Sequence, residues 1–246
     1  MSEILKLTHY PPIAHLNHEM SIDRTVYLGH IRRLRRAELP LNTVKLARYL
    51  IGKLLVREFG QGRAKRTVRP VGRLVGRLVG RIVETEAYLV GDAAAHTFRG
   101  PTPRNRPLYL EHGHAYVYFI YGNHYLLNVS GARAGVGEGV LLRACEPLEG
   151  IERMKRHRGH RGTTRLTDLA RGPGNLAAAM QVDRRFDGLD LCGAGSLWLG
   201  APPRSLRRPV EVGESVRIGI QRDAHRVLRF YERGSPFVSG PKRLRE

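Results

Sequence analysis

The sequence predicts an α+β fold in which strands and helices are mixed within one domain. From residue 82 onward, short apolar runs are separated by Gly, Pro or Asn, a pattern typical of strands. Helical patterns occur among them without the regular alternation of strand and helix that a doubly wound sheet requires. With 246 residues, 41% of them hydrophobic, the chain is long enough to bury a substantial core.

The chain is strongly basic. Its 42 Lys and Arg residues outnumber 22 Asp and Glu residues and give a net charge of +20, far more than solubility requires. A polyanion such as nucleic acid is the expected partner, because each phosphate that a basic side chain neutralises releases counterions. An arginine-rich proteome or adaptation to heat is the alternative explanation, and charge alone does not identify an enzyme.

The sequence predicts neither a membrane span nor a zinc site. No apolar run approaches the ~20 residues that a transmembrane helix needs, and the first residues show no leader pattern, so we expect an intracellular, cytoplasmic protein. Cys145 and Cys192 lack the spacing of zinc ligands and are expected to be free thiols.

The N-terminal residues differ in composition from the rest. Residues 1–38 contain a basic cluster at 32–36 and no sustained apolar pattern. We expect them to form a loose arm that contacts phosphates or lies in solvent. Residues 39–246 are predicted to form a single domain.

A helix and a strand are predicted at the start of this domain. Asn42 or Thr43 can cap the helix, whose apolar residues share one face, and Gly52 ends it. Residues 53–58 follow as a strand.

An arginine-rich segment comes next. Residues 61–81 contain seven Lys or Arg and no acid, and three successive tetrapeptides over 71–82 repeat Val-Gly-Arg followed by Leu or Ile. On a strand, the Val and Arg side chains share one face and extend a hairpin with a basic side. Local duplication within a loop explains the repeat equally well.

The later elements are predicted from apolar runs and the turn residues between them. Strands of the core sheet are predicted at 82–89, 114–121, 125–130 and 139–145, helices at 148–156 and 176–181, and further strands at 216–220 and 228–231. The first four strands are expected to form the core sheet.

Two glutamates and a tyrosine alternate near the start of this sheet. On a strand, Glu84, Glu86 and Tyr88 emerge from one face, which we expect to lie outside the core. For the two glutamates alone, an exposed edge strand is the simplest explanation. In a strongly basic chain, however, acids within a cationic groove weaken phosphate binding, which favours a functional role for them.

Aromatic residues alternate over 116–125, around a turn at Gly122-Asn123. This pattern predicts a hairpin with an aromatic tip. The tyrosines can be ordinary sheet residues. Alternatively, one ring stacks on a base extruded from a duplex while another fills the gap that the base leaves.

Several motifs together resemble one family, the alkyladenine DNA glycosylases, also called methylpurine glycosylases. The agreement runs from about residue 38 to residue 240, and the motifs occur in the family's order with similar gaps, within 84–88, 94–96, 102–105, 116–128, 141–150 and 233–236. The resemblance implies a curved, largely antiparallel sheet with a protruding β-hairpin and surrounding helices. It also implies a monomeric base excision repair enzyme, without metal or cofactor, that acts on double-stranded DNA carrying a damaged base.

The resemblance makes Glu86 the general base. Such a carboxylate deprotonates a water that attacks the anomeric carbon of the deoxyribose, releasing an alkylated or deaminated purine. A glutamate near its ordinary pKa of about 4.3 is ionised at neutral pH and also stabilises an oxocarbenium-like transition state. Glu84 is expected to be structural.

The base pocket of the family corresponds to Tyr88, His96, Tyr118 and Asn128 in this sequence. The rings stack on the flipped purine, and their faces attract the positive charge of an alkylated base. Asn128 acts as a gate that collides with the exocyclic amino group of guanine. Without the resemblance, His96 is explained as an ordinary histidine near the surface.

The remaining predicted contacts are with DNA. Tyr121 resembles the residue that intercalates through the minor groove and holds the base out of the stack. Arg143 and Arg104 resemble arginines that contact the DNA backbone, although Arg143 can also be one more surface arginine.

The sequence departs from the family pattern at three places. The segment 61–81 is longer than expected, and the spacing from Tyr88 to His96 is one residue shorter than in mammalian members. Asn175 replaces a lysine that is often found at the start of a helix, where backbone N–H groups can still meet a phosphate.

Three other functions are compatible with parts of the sequence. A non-catalytic damaged-DNA-binding protein would use the charge and the aromatic residues but leaves the paired glutamates unexplained. A metal-dependent nuclease could use His112 and His114, which lack a clear third ligand. A bifunctional lyase needs an amine nucleophile, whereas the resemblance supplies a carboxylate and water.

Overall fold

The computed structural model describes residues 28, 30–60, 76–159 and 165–245. Within them, nine strands form one antiparallel sheet accompanied by three α-helices, which confirms the α+β class. The strands are β1 (Arg32–Arg33), β2 (Leu54–Glu58), β3 (Arg77–Tyr88), β4 (Ala115–Ile120), β5 (His124–Ser130), β6 (Gly139–Glu149), β7 (Leu197–Ala201), β8 (Val212–Ser215) and β9 (Arg229–Glu232). The helices are α1 (Thr43–Leu50), α2 (Ile151–Arg158) and α3 (Pro173–Ala179).

The strand β3 is the centre of the sheet. The order is β1-β7-β2-β3-β6-β5-β4, with β9 beside the second half of β3 and β8 beside β9. One edge of β3 pairs with β6, while the other pairs first with β2 and then, over Glu84–Glu86, with β9. Because both edges are paired, every residue from 78 to 87 is buried.

The main hydrophobic core lies between the helices and one face of the sheet. Leu46 and Leu50 of α1 and Leu176 of α3 pack there with Ile82 and Leu142 of the sheet. Alternate side chains of the same strands point to the opposite face. That opposite face carries a separate cluster of mainly aromatic and leucine side chains, and the predicted site residues are on it.

The first helix and the aromatic hairpin form as predicted. Asn42 caps α1, since its side chain accepts a hydrogen bond from the Lys45 N–H at 2.9 Å, and Gly52 follows with a positive φ of 81°. The strands β4 and β5 pair in continuous register from Ala115 to Ile120, which confirms the hairpin. Cys145 and Cys192 are free thiols, as predicted.

Several predicted boundaries are wrong. The strand predicted at 216–220 is a loop, because Gly219 takes a positive φ of 76° and the Ile218 N–H bonds to a side chain instead of a neighbouring strand. The helix predicted from residue 148 begins at Ile151, because β6 continues to Glu149 and Gly150 turns the chain with a φ of 77°. The strands β1 and β7 were not predicted.

Part of the predicted loose arm is packed. Arg32–Arg33 pairs with β7, and the side chain of Leu34 is buried, so residues 30–38 do not behave as a loose segment. This stretch is held by hydrogen bonds to β7. It is too short and too polar to show the apolar alternation by which a strand is predicted from sequence. Residues 1–27 and 29 lie outside the described residues.

The end of the arginine-rich repeat belongs to the central strand. β3 begins at Arg77, five residues earlier than predicted, and Arg77 pairs with Glu149 of β6 at 2.6 Å. Arg81 pairs with Glu146 and Glu232, both at 2.7 Å. These two arginines therefore neutralise acids of the sheet, whereas residues 61–75 lie outside the described residues.

Close packing of the central strands predicts a steric effect at Gly80. A Cβ atom there would lie 2.8 Å from Cβ of Cys145 on the neighbouring strand, well inside contact distance. We expect Gly80→Ala to lower the free energy of unfolding by about 1–3 kcal/mol, measured by urea denaturation. Gly60→Ala is the control, because no atom of the described residues lies within 4 Å of a Cβ added there, and we expect a change within about 0.5 kcal/mol. Equal stabilities of the two variants would contradict this packing.

Candidate active site

A cavity of about 410 Å³ opens on the sheet face opposite the helices. Its walls come from β3, the β4–β5 hairpin, β6, the loops around residues 94–97 and 218–220, and the first turn of α3 with the preceding Gly172. The volume lies in the range that is usual for small-molecule sites. The cavity brings together most residues that the sequence predicted for the base pocket and its surroundings, namely Tyr88, His96, Tyr118, Tyr121, Asn128 and Arg143.

Aromatic rings form one wall of the cavity. The rings of His96 and Tyr118 lie 4.4 Å apart between centroids, and Tyr116 stacks on Tyr118 at 5.3 Å. The Tyr116 hydroxyl and Nδ1 of His96 are 2.8 Å apart, which fixes the orientation of the imidazole. Because these rings contact one another, a planar ligand can stack on their combined surface but not between them.

Tyr88 reaches the cavity from β3, on the other side of β6 and β5. The guanidinium of Arg217 lies behind its ring, 4.6 Å from the centroid. Arg217 is itself held by the buried carboxylate of Asp92, with Nη2 and Oδ1 2.9 Å apart. This ion pair fixes Tyr88 from behind and leaves its other face toward the cavity.

The carboxylate of Glu86 is completely buried beneath the cavity wall. Its Oε1 accepts a hydrogen bond from the Ile218 N–H at 2.8 Å and lies 3.1 Å from Nη1 of Arg143. Its Oε2 accepts a hydrogen bond from the Tyr88 hydroxyl at 2.9 Å. All three partner residues line the cavity, so Glu86 is separated from it by one layer of side chains.

The pKa values of Glu84 and Glu86 move in opposite directions. Burial raises the pKa of Glu86, and the attraction of Arg143 only partly offsets that effect. Burial also opposes ionisation of Glu84, but Arg143 and Arg229 together outweigh it and lower the pKa of this carboxyl. Glu86 is therefore the stronger base of the pair, and Glu84 remains ionised.

Glu84 is bound more completely than its neighbour. Its Oε1 accepts hydrogen bonds from Nε of Arg143 at 2.8 Å and Nε of Arg229 at 2.7 Å, and its Oε2 accepts one from the Ser239 N–H at 2.7 Å. The expectation that this face of the strand lies outside the core is wrong. Both glutamates are buried because β9 pairs beside them and the loops that carry Ile218 and Ser239 cover them.

The hairpin tip is the most exposed aromatic part of the site. Tyr121 is 77% exposed and has a positive φ of 55°. Phe119 is 45% exposed, and its carbonyl accepts a hydrogen bond from the exposed Arg104 at 3.5 Å. Deeper in the cavity, the Asn128 amide donates to the Tyr116 carbonyl at 3.3 Å. The Tyr121 ring is therefore exposed on a turn at the rim of the cavity.

The histidines considered as metal ligands have other partners. His112 lies with Nδ1 2.8 Å from a carboxylate oxygen of Glu111, and Nδ1 of His114 lies 2.6 Å from the Glu111 carbonyl. Among the described residues, no group of three or more His, Cys, Asp or Glu side chains could hold a metal ion.

Four residues of the site were not predicted from the sequence. Asp92, Arg217, Arg229 and Ser239 support Tyr88 or the two glutamates, but each contacts its partner across more than 90 residues of chain. The one available signal was an arginine within an otherwise apolar strand at 228–231, where a buried charge requires a buried partner.

The chain also matches a known protein family. The family model of the methylpurine-DNA glycosylases matches residues 38–236, which is most of the chain. The chain belongs to the methylpurine-DNA glycosylase family. It is accordingly a DNA glycosylase of DNA repair, a hydrolase of N-glycosyl bonds whose substrate is DNA.

Individual members of the methylpurine-DNA glycosylase family are also similar over most of their length. A protein of Mesorhizobium japonicum is 57% identical over 211 residues, which is 86% of this chain and 92% of that protein. A protein of Paraburkholderia phytofirmans is 47% identical over 211 residues, which is 86% of this chain and 90% of that protein. Both carry a 3-methyladenine DNA glycosylase name. No helix in the described part of the chain is long and apolar enough to cross a membrane.

The raised pKa of Glu86 predicts that its charge costs stability. Folding raises the pKa of this carboxyl above its ordinary value of 4.5. The group therefore stabilises the fold at a pH below that ordinary value, and the stabilisation is lost as the pH rises through the pKa of the folded protein. At neutral pH, Glu86→Gln should therefore raise the free energy of unfolding, by about 0.5–2 kcal/mol, and the gain should fade below the ordinary pKa.

Glu84→Gln is the matched comparison and should have the opposite sign. The lowered pKa of Glu84 means that its charge stabilises the fold above its ordinary value of 4.5. Thermal melts of both variants at several pH values measure the two effects. Destabilisation of the same size by both substitutions would contradict the assignment of opposite pKa shifts.

Proposed function

We propose that this protein is a monofunctional DNA N-glycosylase that flips an alkylated or deaminated purine out of the duplex and hydrolyses its N-glycosidic bond. The substrate class comprises methyladenine, hypoxanthine and ethenoadenine. The observation that carries the proposal is a buried carboxylate of raised pKa, Glu86, placed directly beneath a cavity with aromatic walls. The protein is proposed to act as a monomer on the duplex DNA of the nucleoid, without metal or cofactor.

Glu86 is the proposed general base. Among the described residues, Tyr88 is the hydrogen-bond donor to its Oε2, and a carboxylate oxygen has capacity for a second donor. A water that passes the side chains between Glu86 and the cavity and donates to Oε2 would be activated for attack on the anomeric carbon. The negative charge of the carboxylate would also stabilise the positive charge that develops on the sugar.

The aromatic walls are the proposed binding surface for the base. A purine can stack on the joined rings of His96 and Tyr118 on one side and face Tyr88 on the other. Electron-rich ring faces favour a positively charged alkylated purine, whose glycosidic bond is already weakened. A neutral base such as hypoxanthine needs protonation as it leaves, because it is a poorer leaving group.

The hairpin and the arginines are proposed to engage the duplex. Tyr121 is exposed on a tight turn at the cavity rim, as a wedge that replaces the flipped base requires. Arg104 is exposed beside the same hairpin, where it donates to the Phe119 carbonyl, and is proposed to contact a phosphate of the duplex. Arg143 lines the cavity beside the flipped nucleotide, but its guanidinium already binds both glutamates, so we assign it chiefly to orienting Glu86.

Single-turnover base release tests the role of Glu86. We expect wild type to release hypoxanthine or methyladenine from duplex DNA in the presence of a chelator, and Glu86→Gln to do so about 10²–10⁴-fold more slowly while it binds the duplex as tightly. Glu152→Gln, the same chemical change on the exposed side of α2, should behave as wild type.

Two results would replace this proposal. If both wild type and Glu86→Gln bind lesion DNA and neither releases a base, the protein is a damaged-DNA-binding module. If the DNA strand is cleaved at the abasic site, or if borohydride traps a covalent complex, the protein is a lyase with an amine nucleophile. The proposal requires an intact strand with one abasic site.

The gate role of Asn128 makes a separate prediction. Its amide lies in the cavity wall, where the exocyclic amino group of guanine would collide with it. We expect Asn128→Ala to raise the release of guanine relative to hypoxanthine by about 10-fold or more. Because both bases are measured with the same variant, a general loss of folding does not change the ratio. An unchanged ratio would show that guanine is excluded elsewhere.

A further inference from the structure

Four charged side chains form a continuous buried chain that ends at Glu86. Arg229 contacts Glu84 at 2.7 Å, Glu84 contacts Arg143 at 2.8 Å, and Arg143 contacts Glu86 at 3.1 Å. The charges alternate in sign, and each of these side chains is at most 8% exposed. The proposed mechanism uses Glu86 as the base and Arg143 to orient it, so Glu84 and Arg229 require an explanation.

Glu84 and Arg229 are unusually costly for a purely structural pair. Arg229 is fully buried and donates to Glu84, the Ser215 hydroxyl, and the carbonyls of Ser239 and Leu244. A buried ion pair is rarely more stabilising than apolar side chains of the same size. Its position next to the Arg143–Glu86 pair therefore points to a role in the chemistry.

The geometry shows how that role would work. Arg143 uses Nε for Glu84 and Nη1 for Glu86, so the two carboxylates share one guanidinium. Arg229 binds the same Oε1 atom of Glu84 that Arg143 binds. Arg229 thus neutralises part of the charge of Glu84 and leaves more of the attraction of Arg143 for Glu86.

We propose that Glu84 and Arg229 are positioning residues that set the basicity of Glu86 by controlling how Arg143 is shared between the two carboxylates. This inference rests on the proposed role of Glu86 as the general base. Neither Glu84 nor Arg229 contacts the substrate in this account, and both act through Arg143.

The other groups that face Glu86 do not titrate in the acid range. On β3, burial raises the pKa of the Tyr88 phenol, and on β4 it raises that of Tyr118, so both remain neutral. The loop above contributes the Ile218 N–H, which carries no charge, and Arg217 behind Tyr88 is paired with Asp92. Glu84 stays ionised because its pKa is lowered, and burial lowers the pKa of His96 on the other wall of the cavity. An acid limb that moves in variants of the residues beside Arg143 therefore reports on Glu86.

The two positioning residues should shift that pH in opposite directions. Glu84→Gln removes a negative charge beside Glu86 and leaves Arg143 to Glu86 alone, so the acid limb of the rate should move down by about one pH unit. Arg229→Gln leaves two carboxylates to share Arg143 alone, so the acid limb should move up by a similar amount. Simple structural damage has no reason to produce opposite shifts.

The experiment measures single-turnover release across pH at saturating protein, on a duplex that carries whichever lesion wild type releases fastest. Arg229→Lys retains the charge and should leave the limb near its wild-type position. The double variant Glu84→Gln/Arg229→Gln removes a neutral pair and should also restore the limb toward wild type. Circular dichroism confirms folding, and the protein concentration for half-maximal rate should change less than about twofold, because the substrate contacts are intact.

Each outcome decides the matter. Opposite shifts that cancel in the double variant support the proposal. An acid limb that stays in place in every folded variant, or that moves in the same direction in both single variants, overturns it while the role of Glu86 stands. Release by Glu86→Gln at the wild-type rate overturns the proposed function itself, and the positioning role with it.

Discussion

The burial of the Glu86 carboxyl is the constraint on which the rest of this site depends. Removing a carboxylate from water is costly unless hydrogen bonds and an opposite charge accompany it. Glu86 receives the Ile218 N–H, the Tyr88 hydroxyl and the guanidinium of Arg143. These contacts offset the effect of burial only in part, since the pKa of Glu86 remains raised and the group remains basic.

The fold supplies these contacts through the central strand. Along one edge, β3 is long enough to pair first with β2 and then with β9, and the pairing with β9 places Arg229 beside Glu84. On the other edge, β6 brings Arg143 to the same carboxylate. The helices pack on the opposite face, so loops are free to cover the glutamates and build the cavity. The same strand ends at Tyr88, which links the base pocket to the carboxylate.

Local patterns predicted one part of the site and not the other. The alternation of Glu84, Glu86 and Tyr88 and the aromatic hairpin were readable because strand periodicity is a property of neighbouring residues. The burial of the glutamates was not readable, because Arg229 lies 145 residues from Glu84 along the chain and meets it only through the pairing of β3 with β9. The apolar alternation at 216–220 was misleading, since those residues form the loop that caps Glu86.

A titration of the two carboxyl groups tests this account most directly. Carbon-13 NMR of protein labelled at the glutamate side-chain carboxyls, with Glu84→Gln and Glu86→Gln used for assignment, follows each group separately. The account predicts that Glu86 takes up its proton above the ordinary glutamate pKa while Glu84 remains ionised. Titration of both groups together near the ordinary value, or of Glu84 before Glu86, would contradict it.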